Sequence, residues 1–345
     1  MSFKVKIDKF CTIPIYKQLV QQFENAIRSG MLQEGDLLPS MNEYACELEV
    51  SKETIKKAYG ILRVKELLVP IQGKGFYVAA LNDRYQHKNN ILLLFDKLTI
   101  YNNAIYNSLM EELGDSYDVT LLTHNQNLEL LEHYLDIYLD KFDYYIICPH
   151  FPLDEDSQST TIKQLSRIPK RKLIMVDHWV KGVSGSYSVV YQDYENDIYN
   201  CLKNELERLK NVSAIKTVIL QSSLYGQIVS KGVVRFCQDF GLHSEVHDSI
   251  PKNISPNDAV LILTSQLDSD MTELLRSIKA SNLQVGKDIF IISYNDFDLC
   301  DVIFNGLTTV STDFRKMGQL VSTIILNKKI LKIHCDFNMK SRATF

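Results

Sequence analysis

An α/β protein in two parts is what these 345 residues predict. A small module of three helices is closed by a β-hairpin, and a larger body of parallel sheets follows. Three observations carry this. Residues 51–58, Ser-Lys-Glu-Thr-Ile-Lys-Lys-Ala, set lysines beside an apolar helical stripe, directly after a short helix. Residues 73–78, Gly-Lys-Gly-Phe-Tyr-Val, form a glycine-rich turn that enters a strand. From residue 91 onward, short apolar runs alternate with amphipathic stretches, the pattern of parallel strands covered on both faces by helices.

The first module is expected over residues 1–80. Pro14 to Arg28 reads as a helix, with Ile15, Leu19, Phe23, Ala26 and Ile27 at helical spacing and Gly30 as its C-cap. Ser40 and Glu43 form a capping box that opens a second helix through Tyr44, Ala45 and Leu48. Only Glu49 and Val50 then precede Ser51, a helix-turn-helix spacing. Leu67–Pro70 and Phe76–Ala79 read as strands joined through Gln72-Gly73-Lys74-Gly75. A basic helix followed by a basic hairpin is a winged helix-turn-helix, and its partner is a DNA duplex.

Bulk composition alone does not name that partner. Net charge is −4, and residues 1–80 hold 11 Lys and Arg against 9 Asp and Glu, a small basic excess. Seven scattered cysteines without a Cys-x-x-Cys pair argue against disulfides and zinc and for reduced thiols. Neither an 18-residue apolar run nor an apolar leader is present, so a cytoplasmic protein without membrane contact is expected.

The stretch 10–79 resembles the DNA-binding domain of the GntR family of bacterial regulators. The matching pieces are Pro14-Ile15-Tyr16 with Gln18-Leu19, Gly35-Asp36 with Leu38-Pro39-Ser40, Ser51-Lys52 with Thr54-Ile55-Lys56-Lys57-Ala58, and Gly73 to Val78. The family usually has Arg at Asn42 and Glu-Gly at Lys65-Glu66, and three of its recognition-helix arginines are Lys52, Lys56 and Lys57 here. Lysine lacks the bidentate fork that reads guanine, so these positions lean toward phosphate. The expected DNA contacts are Ser40, Asn42, Ser51, Lys52, Thr54, Lys56 and Lys57, with Lys74 and Gly75 of the wing entering the minor groove. A solvated helix face is the alternative for each lysine taken singly.

Residues 81–90 are polar and aperiodic and read as a linker. Strands are expected at Ile91–Phe95, Val119–Leu122, Tyr144–Cys148, Leu173–Val176, Val189–Tyr191, Val218–Leu220, Ala259–Leu263 and Ile289–Ile292. Helices are expected at Asn103–Leu113, Leu128–Leu139, Tyr194–Leu209, Ile228–Phe240 and Met271–Ala280, the Tyr194 helix crossing into a second lobe. Asp268 and Asp270 are expected to cap the Met271 helix, and Asp154-Glu155-Asp156 to be solvated charge.

The body, 91–345, is similar to the type I periplasmic-binding-protein domain of LacI-type repressors. The similarity rests on Gly306 to Val310, Met317-Gly318 opening a helix to Leu326, Arg342-Ala343-Thr344, Ile292 to Asp296, and Val189 to Asp193. It implies a homodimer that binds a DNA operator under control of a small-molecule effector, a monosaccharide, held between two lobes at the carboxyl ends of strands. The positions it points to are Asp96, Asn102, Asn103, Asp177, His178, Trp179 and Asp193 in one lobe, and Tyr225, Gln266, Asn295 and Asp296 in the other. Many members carry a sugar-gripping Arg three residues before the Gly matching Gly232, but Val229 stands here, leaving Tyr225, Gln227 or Lys231 to substitute.

No catalytic set, cofactor fingerprint or metal site is expected. His243 and His247 have no third ligand and read as surface histidines. Two other classes were weighed: a GntR-type module fused to an enzyme-like domain, which wants a longer body, and a solute-binding protein, which has no use for the first module.

Overall fold

The structure, a computed structural model, describes residues 5, 7, 14–28, 30–80, 89–219, 223–251, 253–263 and 267–345. It divides into two compact units, Met1–Asn89 and Asn90–Phe345. Of the expected linker, residues 81–88 lie outside the described residues, while Asn89 and Asn90 already open a strand.

In the first unit α1 (Ile15–Arg28), α2 (Met41–Glu47) and α3 (Lys52–Val64) precede a hairpin of β1 (Leu68–Ile71) and β2 (Gly75–Val78). The aromatic rings fix the packing: Phe23 of α1 meets Tyr44 and Tyr59 at 5.8 Å each, and Tyr59 meets Phe76 at 5.3 Å. Leu19, Ile55, Ala58 and Leu62 fill the space between α1 and α3. The hairpin pairs antiparallel from Leu68 with Val78 to Ile71 with Gly75. Gly73 and Gly75 take φ of +73° and +108°, which a side chain would resist. Leu37 adds a third short strand by bridging to Tyr77, a pairing that its Gly35-Asp36 turn concealed in the sequence.

The second unit has two six-stranded sheets. The first lobe runs β3 (Asn89–Phe95), α4 (Ile100–Leu113), β4 (Tyr117–Thr123), α5 (Leu128–Tyr138), β5 (Tyr144–Ile147), α6 (Glu155–Arg167), β6 (Leu173–Asp177) and β7 (Ser188–Tyr191). The chain crosses through α7 (Tyr194–Asn204) and α8 (Leu206–Leu209). The second lobe holds β8 (Ile215–Ile219), α9 (Gly226–Phe240), β9 (Ser244–His247), β10 (Ala259–Leu263), α10 (Leu267–Ala280), β11 (Phe290–Tyr294) and β12 (Thr308–Thr312). It returns through α11 (Phe314–Asn327) to β13 (Lys332–His334) and ends in β14 (Phe337–Lys340). The sheet orders are β13-β7-β6-β5-β3-β4 and β14-β12-β11-β10-β8-β9. β14 runs antiparallel to β12.

The apolar run of β3 shows why its strand lacks alternation. Ile91, Leu93 and Phe95 pack toward α4 and α11, while Leu92 and Leu94 pack toward α5 and α6. Both faces are covered, so both are apolar. The connecting helices trade places: α7 packs into the second lobe and α11 into the first. Two glycines permit this. A Cβ on Gly232 would lie 2.3 Å from the Glu195 carbonyl oxygen, and one on Gly318 would lie 2.4 Å from that of Ile105. The Arg342-Ala343-Thr344 ending is a staple: the Thr344 hydroxyl donates to the Ile291 carbonyl at 2.7 Å and accepts from Thr308 N at 2.8 Å.

Four local expectations change. The Tyr194 helix breaks at Glu205 into two pieces. Asp154 caps α6, its carboxylate accepting from Ser157 N at 2.9 Å, so that acidic run starts a helix. Asp268 and Asp270 fall inside α10, which begins at Leu267 and not at Met271. His243 and His247 are not without a neighbouring Glu, because Glu245 sits between them on the same face and meets them at 3.3 and 2.9 Å. Of the six described cysteines, Cys46 is exposed and the other five are buried, all free. Among the described residues no helix is long and apolar enough to cross a membrane.

Candidate functional site

A cavity of about 210 Å³ lies between the two lobes of the second unit. Its walls are the carboxyl ends of parallel strands from both sheets. The first lobe contributes Asp96 and Asn102 after β3, Gln126 after β4, His150 after β5, and Asp177 ending β6. The second contributes Tyr225 and Val229 after β8, Leu263 ending β10, and Tyr294 and Asn295 at the end of β11. Gln192 and Tyr194 stand on one crossing segment and Phe314 on another. Parallel sheets place ligands at this edge because their strand ends and connecting loops converge there.

Backbone conformation marks two of these residues. Asp177 and Asn295 have φ of +71° and +70°. They occupy matching places, one at the end of an apolar strand in each lobe. Asp and Asn tolerate the left-handed region better than other side chains, and such strain gathers at ligand clamps.

His150 ties the first-lobe wall together. Its Nε2 lies 2.9 Å from Asp177 Oδ2 and 3.0 Å from the Tyr194 hydroxyl, and its Nδ1 lies 3.6 Å from Asp96 Oδ2. Asn102 donates to Asp96 Oδ1 at 2.9 Å. Gln192 donates to Asp177, and its own carbonyl accepts from the Thr312 hydroxyl at 2.8 Å, linking two crossing segments. Burial opposes charge on His150, but the acidic neighbours prevail and raise its pKa well above the usual value. Burial likewise opposes charge on Asp96, yet hydrogen bonds from His150 and Asn102 hold it at about 2. His150 is therefore an imidazolium beside the Asp96 carboxylate, with Asp177 against its other ring nitrogen.

Asp96, Cys148 and His150 bring a carboxylate oxygen, a thiol and an imidazole nitrogen within 4.8 Å of one another, the makings of a metal site. Burial pushes the Cys148 thiol up to about 12, and both imidazole nitrogens face carboxylates. In this arrangement the group is a hydrogen-bonded clamp.

The second-lobe wall is different. The hydroxyls of Tyr225 and Tyr294 and the side-chain carbonyl of Asn295 are buried with no hydrogen-bond partner among the described residues. Unpaired buried polar atoms cost free energy unless something else satisfies them. Tyr225 stacks on Tyr194 at 5.0 Å and lies 4.7 Å from the His150 ring.

The sequence candidates divide. The cavity brings together Asp96, Asn102, Asp177, Tyr225 and Asn295, with Val229 where the arginine was expected. Of the three possible substitutes for that arginine, Tyr225 lines the cavity and Gln227 and Lys231 do not. His178 lies behind Tyr225, at 4.9 Å between rings. Trp179 is turned away: its Nε1 donates to the Tyr187 hydroxyl at 3.2 Å and its face carries Lys332 at 4.7 Å. Asp193, just before α7, accepts from the Asn196 side-chain amide. Asn103, one step round α4 from Asn102, and Asp296 line a separate groove of about 1050 Å³. Asp296 is held by Arg342 and Thr309 at 2.8 Å each. Gln266 lies outside the described residues. His150, Gln126, Gln192, Tyr194 and Tyr294 were missed, although all follow or end strands, the rule that found Asp96 and Asp177.

A pH prediction arises here. His124 is fully buried; its Nε2 pairs with the Cys148 carbonyl at 2.8 Å and its Nδ1 accepts from Gln126 N. Burial lowers its pKa to about 4, and burial with the charge on His150 does the same to His178. The folded pKa values lie below the unfolded value near 6.5, so the unfolded chain binds more protons in between. Stability of the second unit should fall as pH drops from about 6.5 to about 4, by up to roughly 3 kcal/mol per histidine. The Asp96 contribution is lost only at lower pH, toward 2. Denaturant unfolding at pH 7 and pH 4.5 measures it, and equal midpoints would rule it out.

In the first unit Ser40 accepts from Glu43 N at 3.2 Å and Glu43 returns the bond to Ser40 N at 3.1 Å. Ser51 caps α3, accepting from Thr54 N at 3.2 Å, with the two hydroxyls 2.8 Å apart. Asn42, Lys52, Lys56, Lys74 and Gly75 are exposed. Lys56 has only the exposed Glu53 at 3.4 Å. Lys57 instead places its ammonium 3.9 Å over the Tyr16 ring of α1, because its step round the helix faces that neighbour. Lys65 pairs with Glu24 of α1.

Comparison with known proteins agrees with both units. Residues 15–78 match the gntR family of bacterial regulatory proteins, and residues 225–329 match the periplasmic binding protein-like domain. The chain joins a GntR-type DNA-binding domain to a periplasmic-binding-protein-like domain. The transcriptional repressor YtrA of Bacillus subtilis is 32% identical over 75 residues, 22% of this chain and 58% of that protein. The arabinose metabolism transcriptional repressor of Geobacillus stearothermophilus is 34% identical over 68 residues, 20% of this chain and 19% of its own length. The aligned segments thus span 58% of one relative and 19% of the other, and about a fifth of this chain. A LacI family regulator from Lactobacillus casei with bound glucose superposes with a TM-score of 0.56 at 15% identity, covering 74% of this chain and 99% of that one. At that identity the likeness establishes the fold of the larger domain.

Proposed function

We propose that this GntR-type regulator is a cytoplasmic transcriptional repressor whose operator affinity is set by a monosaccharide held between the lobes. The observation that carries this reading is the interlobe cavity of about 210 Å³, lined on one side by a fixed polar clamp and on the other by three residues that each hold a buried polar atom without a partner. That volume falls below the roughly 300–1,000 Å³ of drug-sized sites and suits a single sugar ring. We read the larger domain as a sensor, not an enzyme, in keeping with relatives that are named as repressors.

The switch is a population shift. A ligand that pairs with both walls favours lobe closure, and a homodimer carries that change to two DNA modules, each reading a half-site. Ile100 and Leu299 support pairing of two copies: they line one groove and are 53% and 62% exposed. A 100-fold difference in ligand affinity between states supplies about 2.7 kcal/mol of coupling. The test starts by selecting a duplex from a random library and then titrates that complex with monosaccharides, followed by fluorescence anisotropy. Release, or tightening, by one sugar is expected. A sugar that binds tightly and leaves duplex affinity unchanged defeats the switch.

A further inference from the structure

The charges in the cavity say which sugars can enter. Two carboxylates line it, Asp96 and Asp177. The second lobe contributes Asn295, whose side-chain carbonyl is buried and unpartnered. Two side-chain cations are near. His150 has one ring nitrogen toward Asp177 and Tyr194 and the other toward Asp96, so it has no free donor to offer. Lys97 is exposed at the rim. Where an arginine would reach in, Val229 presents an apolar surface that is 3% exposed. The remaining wall is aromatic: Tyr101, Tyr194, Tyr225, Tyr294 and Phe314.

An anionic group placed here would lose its hydration and meet two carboxylates, with His150 already committed to them and Lys97 at the rim the one other cation among the described lining residues. A hydroxyl or an ammonium would meet acceptors that have lone pairs to spare. The ring C–H face of a sugar would lie against the tyrosines. We infer that the cleft selects a one-ring polyol that is neutral or amine-bearing, and that it rejects sugar phosphates and uronic acids.

This rests on the reading of the cleft as the sensor site, and the experiment separates the two. The full chain is screened by thermal shift against matched sets built on several aldohexoses and aldopentoses: the parent sugar, its 2-amino form, its terminal phosphate and, for hexoses, its uronic acid. Hits are then measured by calorimetry. A parent or amino sugar should bind, with its phosphate and uronate at least about 100-fold weaker. A phosphate or uronate that binds as tightly as its parent overturns the inference and leaves the sensor reading standing. No binding by any sugar removes the sensor reading itself. In Asp177→Asn, which keeps the shape of the side chain and suits the positive φ, the gap between parent and phosphate should narrow by about 10-fold. An unchanged gap would show that the carboxylates are not what rejects anions.

Discussion

A His150→Ala variant is expected to lose about 3–5 kcal/mol of stability in the larger domain, to lose its sugar response, and to keep its DNA affinity. The imidazole is the counter-ion of both Asp96 and Asp177 in a site where these side chains are 11% and 8% exposed. Without it, two carboxylates share one desolvated wall. Removing one partner of a buried pair costs more than the pair contributes, because the charge left behind has neither water nor a partner. One carboxylate can escape by binding a proton, which raises its pKa. The deficit relative to the wild-type chain should therefore shrink as pH falls below about 5, since the folded variant then takes up a proton that the unfolded chain holds less firmly. His150→Gln, which can donate one hydrogen bond without charge, should fall between the two. Urea unfolding at pH 7 and pH 4 measures all three. A His150→Ala chain as stable as wild type at pH 7 would show that the clamp does not hold this wall.

His150 also shows how far the sequence could be read. The interior parallel strands from Ile91 to Ile292 were legible, because strands buried on both faces are continuous apolar runs and their neighbours are amphipathic. The winged module was legible for a different reason: its caps, turns and glycines sit at fixed offsets that local chemistry demands. The short edge strands β9, β13 and β14 carry no such signal, being polar, three or four residues long and defined by their partners. At the site, Asp96 and Asp177 were visible as carboxylates directly after strands. His150 stands in the same relation to Tyr144–Cys148, two residues beyond the run, and the same rule applied there would have named it. What no rule of spacing shows is direction. Trp179 follows Asp177 by two residues yet points to Tyr187 and Lys332, and Asn103 follows Asn102 by one yet faces another groove. The Trp179 ring meets Lys332 of β13, 153 residues away in the chain, a contact that no local pattern encodes.

Direction decides the second large effect as well, at the recognition helix. Lys52→Ala with Lys56→Ala is expected to weaken operator binding by about 100-fold and to reduce the salt slope by about 2, leaving sugar binding intact. Both side chains are exposed on α3, and the single ion pair of Lys56 with Glu53 is too solvated to compete with a phosphate. Lysine acts on DNA as a point charge, so the loss should be nearly uniform across sequences: a scrambled duplex should weaken in proportion. Lys57→Ala should behave otherwise. Its ammonium lies over the Tyr16 ring and braces α3 on α1, so the expected result is about 0.5–1 kcal/mol less stability and a smaller change in salt slope. Three lysines in one helix would lose DNA affinity alike if bulk charge alone were responsible. Anisotropy titrations at several salt concentrations distinguish the cases. Equal slopes for all three single variants would mean that α3 does not meet the duplex through the face carrying Lys52 and Lys56.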